Sequence, residues 1–162
     1  MPTYLLDASG LCKRYFTNEI GSDLINDLFN DEASTRYLLN FTILEVLNAL
    51  YRVHREGYLS ESERDALIAA FYRDISNGSL LVYSVHDLHI FNAESTIQRI
   101  QAMPVIKKRS GPMDALVITC ASDFNLSELI LISSDVDLNA IAQQVNILTF
   151  DPEKPFSRLQ QS

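Results

Sequence analysis

Four carboxylates occupy positions from which they could act together. Asp7 follows the apolar run Tyr4-Leu5-Leu6, and Asp135 follows Leu129-Ile130-Leu131-Ile132 across Ser133-Ser134. Asp114 falls in the first turn of a helix opened by Gly111-Pro112, and Glu45 lies early in the helix after a second apolar run. Each has an ordinary explanation. Asp7 and Asp135 can cap the helices that follow them, and Asp114 complements the dipole of a helix with proline at its first position. Thr42 and Glu45 have the spacing of a capping box, and Glu45 shares a polar stripe with Asn48 and Arg52. Read jointly, the four acids point to other chemistry. Two ionised carboxylates ~4 Å apart repel by roughly 4 kcal/mol at an effective dielectric of about 20. A rim holding all four therefore needs retained protons or a cation. An all-oxygen donor set suits magnesium or manganese rather than zinc. Such a centre can grip a phosphodiester, acidify a bound water and stabilise a departing oxygen. Spacing along the chain leaves their convergence open.

The elements that must position these acids alternate in type. Strands are predicted over 3–6, 35–39, 79–83, 129–132 and 146–149. Helices are predicted over 7–16, 20–29, 43–55, 60–76, 86–102, 112–124 and 134–144. Periodicity carries most of these assignments, as with Ile43, Val46, Leu47, Leu50 and Val53 along one helical face. Ser60 and Glu63 add a capping box. Strands alternating with helices imply a parallel sheet covered on both faces. In such sheets ligands bind beyond the carboxyl ends of the strands, where Asp7 and Asp135 fall.

Composition narrows the class further. At 162 residues, 47% hydrophobic and 21% charged, the chain reads as one ordinary globular domain with enough apolar mass for a core. Its net charge of −8 argues against gripping nucleic acid by bulk charge alone. No apolar run approaches the ~18 residues of a membrane span, and the start lacks the basic region of a secretory signal. Cys12 and Cys120 are too few for a disulfide scaffold or a zinc site and read as small core residues. A cytoplasmic protein without membrane contact is expected.

Smaller signals each carry two readings. Lys13 and Arg14 after Asp7, and Lys107, Lys108 and Arg109 before Asp114, either position phosphates or form solvated faces. Tyr15 and Phe16 either stack on bases or pack in the core. His86 and His89 lie one turn apart, a ligand spacing, but their surroundings read as an ordinary helix start. Ser9 and Ser133 lack the paired histidine motif of a serine hydrolase, and no glycine-rich phosphate loop is present. Tyr51 and Tyr58, with the apolar faces of the two helices over 43–76, are core residues or a protein-binding surface.

Taken in order, the segments resemble a PIN domain, and in particular the VapC-type ribonuclease toxins of toxin–antitoxin pairs. The resemblance runs through Leu6-Asp7-Ala8-Ser9-Gly10-Leu11 and Ile43-Leu44-Glu45-Val46-Leu47-Asn48-Ala49-Leu50. It continues in Met113-Asp114-Ala115-Leu116 and Ile132-Ser133-Ser134-Asp135-Val136-Asp137-Leu138, then Val145-Asn146-Ile147-Leu148. It implies a three-layer α/β/α sandwich with a central parallel sheet, a single PIN-like domain over 1–150 and a C-terminal tail over 151–162. Asp7, Glu45, Asp114 and Asp135 match the family's acidic quartet. Asp7, Asp114 and Asp135 would bind Mg2+ or Mn2+ directly, and Glu45 would bind it, orient a second ion or hold the attacking water. Asp137 stands near the quartet, and Ser133 matches a small hydroxyl that supports the pocket. The resemblance further implies an endoribonuclease acting on RNA, a homodimer, and an antitoxin whose C-terminal segment covers the pocket. The stretch from Gly57 to Ser110 is long for a compact toxin of this kind. Two rivals remain. One is a catalytically inactive PIN-like binding or scaffold module. The other is a phosphatase with Asp7 as nucleophile, for which Ser9 stands where a second acid is needed.

Overall fold

The strand β1 (Thr3–Leu6) occupies the middle of a sheet and sends successive side chains to opposite faces. In the computed structural model, which describes residues 2–103, 111–124 and 128–154, it is joined by β2 (Thr35–Leu39), β3 (Leu81–Tyr83), β4 (Leu129–Ile132) and β5 (Leu148–Phe150). All pairings are parallel, in the order β3-β2-β1-β4-β5. Thr3 stands opposite Thr35 on one side and Leu129 on the other, and Leu6 opposite Ile132.

Two cores flank this sheet. Leu6, Leu38 and Ile132 pack against α1 (Ala8–Leu11), α2 (Ser22–Asn30), α3 (Thr42–Arg55) and α4 (Glu61–Ser76) through Leu11, Ile25, Val46, Leu50 and Phe71. Leu5, Leu39 and Leu131 pack against α5 (Asp87–Gln101), α6 (Pro112–Asp123) and α7 (Val136–Gln144) through Ile100, Ile118, Leu138 and Ile141. The result is the expected three-layer α/β/α sandwich. Burial on both faces explains why β1 and β4 read as continuous apolar runs. Among the described residues, no helix is long and apolar enough to cross a membrane.

Local chemistry moves several boundaries. The helix expected over 7–16 stops at Leu11 and tightens into a 3-10 turn, Cys12–Arg14, because the Tyr15 and Phe16 N–H groups both donate to the Cys12 carbonyl at 2.9 Å. Gly21, at φ +87°, delays α2 to Ser22. A Cβ there would lie 2.5 Å from the Pro152 carbonyl oxygen, so glycine is required twice over. Gly78 (φ +79°) and Asn146 (φ +62°) turn the chain before β3 and β5, which start later than expected. Cys12 and Cys120 are free and buried, with burial pushing both thiols up to about 12, the state of inert core cysteines.

Residues just past 150 make contacts with the domain. Pro152 packs on Gly21, and Glu153 Oε1 accepts from Lys13 Nζ at 2.7 Å. Residues 155–162 of the expected tail lie outside the described residues.

Candidate active site at the carboxyl edge of the sheet

From β1 the chain crosses to β2 on one side, and β4 lies on the other, so a crevice opens between β1 and β4 at their carboxyl ends. Asp7 leaves β1 there. Its N–H donates to the Ile132 carbonyl at 3.0 Å, which holds it beside Ser133. Asp7 caps α1: its Oδ2 accepts from Ser9 N at 3.2 Å and Ser9 Oγ at 2.7 Å. Ser133 Oγ lies 3.1 Å from the same oxygen and 3.1 Å from Ser9 Oγ. Both hydroxyls also accept backbone N–H groups, Ser9 from Ser134 and Ser133 from Asp135, each at 3.0 Å. The two serines thus fix Asp7 to the β4 loop. Gly10 allows this close approach, since a Cβ there would meet the Ile132 carbonyl oxygen at 2.7 Å.

Asp135 and Asp114 follow the same pattern. Asp135 caps α7, its Oδ1 accepting from Asp137 N at 2.8 Å and Leu138 N at 3.0 Å. Asp114 Oδ2 accepts from Gly111 N at 2.7 Å at the start of α6. Asp7, Asp114 and Asp135 each engage one carboxylate oxygen in ordering backbone. Among the described residues, no hydrogen bond takes the other. The capping reading therefore holds for these three acids, and it leaves one oxygen of each outside the caps.

Glu45 differs. The capping box expected between Thr42 and Glu45 does not form, because α3 begins a residue early with Phe41 already in helical conformation at its N-cap. Thr42 becomes the first helical residue and Glu45 is freed from backbone duty. Glu45 Oε2 and Thr42 Oγ1 are buried with no hydrogen-bond partner among the described residues. A buried carboxylate oxygen left unpaired is costly.

Electrostatics tie the acids together. Burial, then the charges of Asp7 and Asp114, push the Glu45 carboxyl up to about 7. Burial also raises Asp114, against the lowering effect of the Gly111 N–H, and Asp135, Asp7 and Asp137 raise it further. The structure thus gathers Asp7, Glu45, Asp114 and Asp135 on one edge, with Asp137 beside them. Among the described residues, no three His, Cys, Asp or Glu side chains stand close enough to close a metal's coordination shell. They act on one another through their fields rather than by contact. The donor set nonetheless fits a hard divalent cation: oxygen only, three carboxylates with a free oxygen, and a fourth with a buried orphaned one.

The smaller signals resolve mostly into structure. Lys13 is 2% exposed and bound to Glu19 and Glu153, and Arg14 pairs with Asp74 and Asn26, so neither is free for phosphate. Tyr15 is buried edge-on to Phe71 and donates to Asp74 at 3.0 Å, and Phe16 packs on the same core. His89 is buried, with Nδ1 accepting from His86 N and Nε2 3.2 Å from Asp123 Oδ2. Both ring nitrogens are in use, so His86 and His89 form no ligand pair. Tyr51 and Tyr58 are exposed rather than core. Lys107, Lys108 and Arg109 lie outside the described residues. Sequence reasoning missed Ser9 and Asn139 as supports. The Asp-x-Ser spacing of a side-chain turn signals Ser9. Asn139, whose Nδ2 donates to the Ser133 carbonyl at 2.8 Å, carries no such mark.

No family model and no curated protein matches the sequence. Solved structures do. The chain is similar to PAE2754 from Pyrobaculum aerophilum, with TM-score 0.60 and 18% identity over 91% of this chain and 83% of that one. It is similar to VapBC-1 from nontypeable Haemophilus influenzae, with TM-score 0.56 and 15% identity over 93% and 98%. A DNA-bound VapBC from Salmonella typhimurium gives TM-score 0.59 and 14% identity over 94% and 99%. At these identities the likeness is one of fold: the chain has a VapC-like PIN fold.

Proposed function

We propose that the chain is a divalent-metal-dependent endoribonuclease that hydrolyses RNA phosphodiester bonds as the toxin of a toxin–antitoxin pair. The supporting observation is the buried, unpartnered Oε2 of Glu45 in the field of Asp7 and Asp114. An acid so placed destabilises the fold, and a cation would relieve it. Asp7, Asp114 and Asp135 would hold Mg2+ or Mn2+ through the oxygens that capping leaves free. When bound, the ion supplies Lewis acidity, making a water nucleophilic near neutrality and offsetting charge on the departing oxygen.

The chain's own groups do the rest. Ser9 and Ser133 fix the rotamer of Asp7, and the Gly111 N–H fixes that of Asp114. Glu45, with its carboxyl raised to about 7, is suited to accept a proton from an attacking water near neutral pH. Two of the three histidines are engaged elsewhere, His89 with His86 and Asp123, and His54 with its Nδ1 at 2.8 Å from the Leu59 carbonyl. Similarity to two VapBC complexes supports an antitoxin partner, and a homodimer remains part of the proposal. The PIN-like scaffold without activity is the alternative that the same experiment tests. Purified protein is incubated with labelled RNA and manganese beside Asp7→Asn and Asp114→Asn. Cleavage by the unsubstituted protein alone supports the nuclease. Equal cleavage by all three would mean a contaminant, and none by any would leave the scaffold.

A further inference from the structure

The nuclease reading leaves a question of charge. A chain of net charge −8 must hold a polyanion at an edge lined with carboxylates. The cations nearest in sequence to Asp7 are already engaged: Lys13 by Glu19 and Glu153, Arg14 by Asp74 and Asn26. Arg52 is not. It is exposed on α3, the helix that carries Glu45, and among the described residues its side chain has no hydrogen bond or ion pair. Seven residues of helix place Arg52 roughly 20° from Glu45 around the axis and about 10 Å along it. Asn48, also exposed, lies between them on the same stripe. The charge of Arg52 acts on Cys12, as do those of Asp7 and Glu45, so all three lie within electrostatic reach of the same residue.

Resting on the nuclease reading, we infer that Arg52, with Asn48 beside it, forms a phosphate subsite for the backbone of the RNA substrate next to the scissile linkage. An arginine fork binds phosphate oxygens bidentately, and such contacts set register without reading sequence. The neighbouring Arg55 is a built-in comparison. It is also exposed, but stands roughly 80° from Glu45 around the helix.

The test compares two substrates in manganese: a short unstructured RNA, and bis(p-nitrophenyl) phosphate, a diester with no neighbouring phosphate. Arg52→Gln should raise KM for the RNA about tenfold with kcat within about twofold, and Arg52→Lys should recover part of the loss. It should also flatten the dependence of log(1/KM) on log salt by about 0.7, the value for one single-strand phosphate contact. Hydrolysis of the simple diester should be unchanged, as should RNA cleavage by Arg55→Gln. An unaltered RNA KM and salt slope in Arg52→Gln would overturn the subsite while leaving the nuclease standing. So would equal losses on both substrates, or an equal effect of Arg55→Gln. Failure of the unsubstituted protein to cleave either substrate would overturn the nuclease reading and the subsite together.

Discussion

Two charged regions of this molecule are built to opposite rules. In β2, Arg36 is 9% exposed and its guanidinium is anchored through Nε and Nη1. Nε donates to the Ser79 carbonyl at 2.9 Å, and Nη1 reaches the Leu28, Phe29 and Asp31 carbonyls at 2.8, 3.2 and 3.1 Å. Arg36 thereby satisfies the carbonyls at the end of α2 that the helix itself cannot. At the carboxyl edge, Glu45, Asp114 and their neighbours are left with oxygens unmatched and like charges facing one another. The first arrangement stabilises the fold and is chemically closed. The second works against the fold and is open to a ligand. Burial of charge alone therefore does not mark a site; burial without a partner does.

The contrast can be broken from either side. The largest effect is expected at the open edge: Asp7→Asn should lower RNA cleavage by at least about 100-fold, measured as kcat/KM, with little change in melting temperature. On the closed side, Arg36→Ala should cost about 3 kcal/mol in urea unfolding by stranding the α2 carbonyls, with the activity of the remaining folded protein intact. Glu45 gives the sign that separates the regions. Its carboxyl rises from the usual 4.5 to about 7 on folding, so the folded chain binds the extra proton and stability falls as pH rises across that window. Glu45→Gln should remove this pH dependence and stabilise the metal-free protein above pH 7 by about 1 kcal/mol, after allowing for solvent screening of a half-exposed group. Added Mg2+ should recover the loss in the unsubstituted chain and not in Glu45→Gln. The smallest effect belongs to the Asp137 side chain, whose charge raises Asp114 while its backbone N–H, untouched by substitution, holds Asp135. Asp137→Asn should alter cleavage by about threefold or less.

The sheet and the placement of Asp7 and Asp135 at its edge were legible in the sequence for a shared reason. Parallel strands buried on both faces need unbroken apolar runs, and the residues leaving their carboxyl ends are fixed by that geometry. What the sequence concealed depends on tertiary packing. A one-residue shift in the start of α3 dissolved the Thr42–Glu45 cap and turned Glu45 from a helix-end residue into an unpaired acid. Lys13 reads as part of a solvated face or as a phosphate contact, yet it is buried where Glu153, far along the chain, comes to meet it. Arg36 reads as a polar residue of a strand and not as the terminator of another element.

The pairing of Lys13 with Glu153, and of Gly21 with Pro152, bears on how the protein is made. Glu19 is at hand early for the ammonium of Lys13, at 3.3 Å, but the shorter contact, 2.7 Å, waits until Glu153 has left the ribosome. Nascent chains arrested short of Glu153 should accordingly be cut by protease more readily than chains arrested after it has emerged. Packing around Lys13 and Gly21 would then be completed only once the stretch after β5 has emerged.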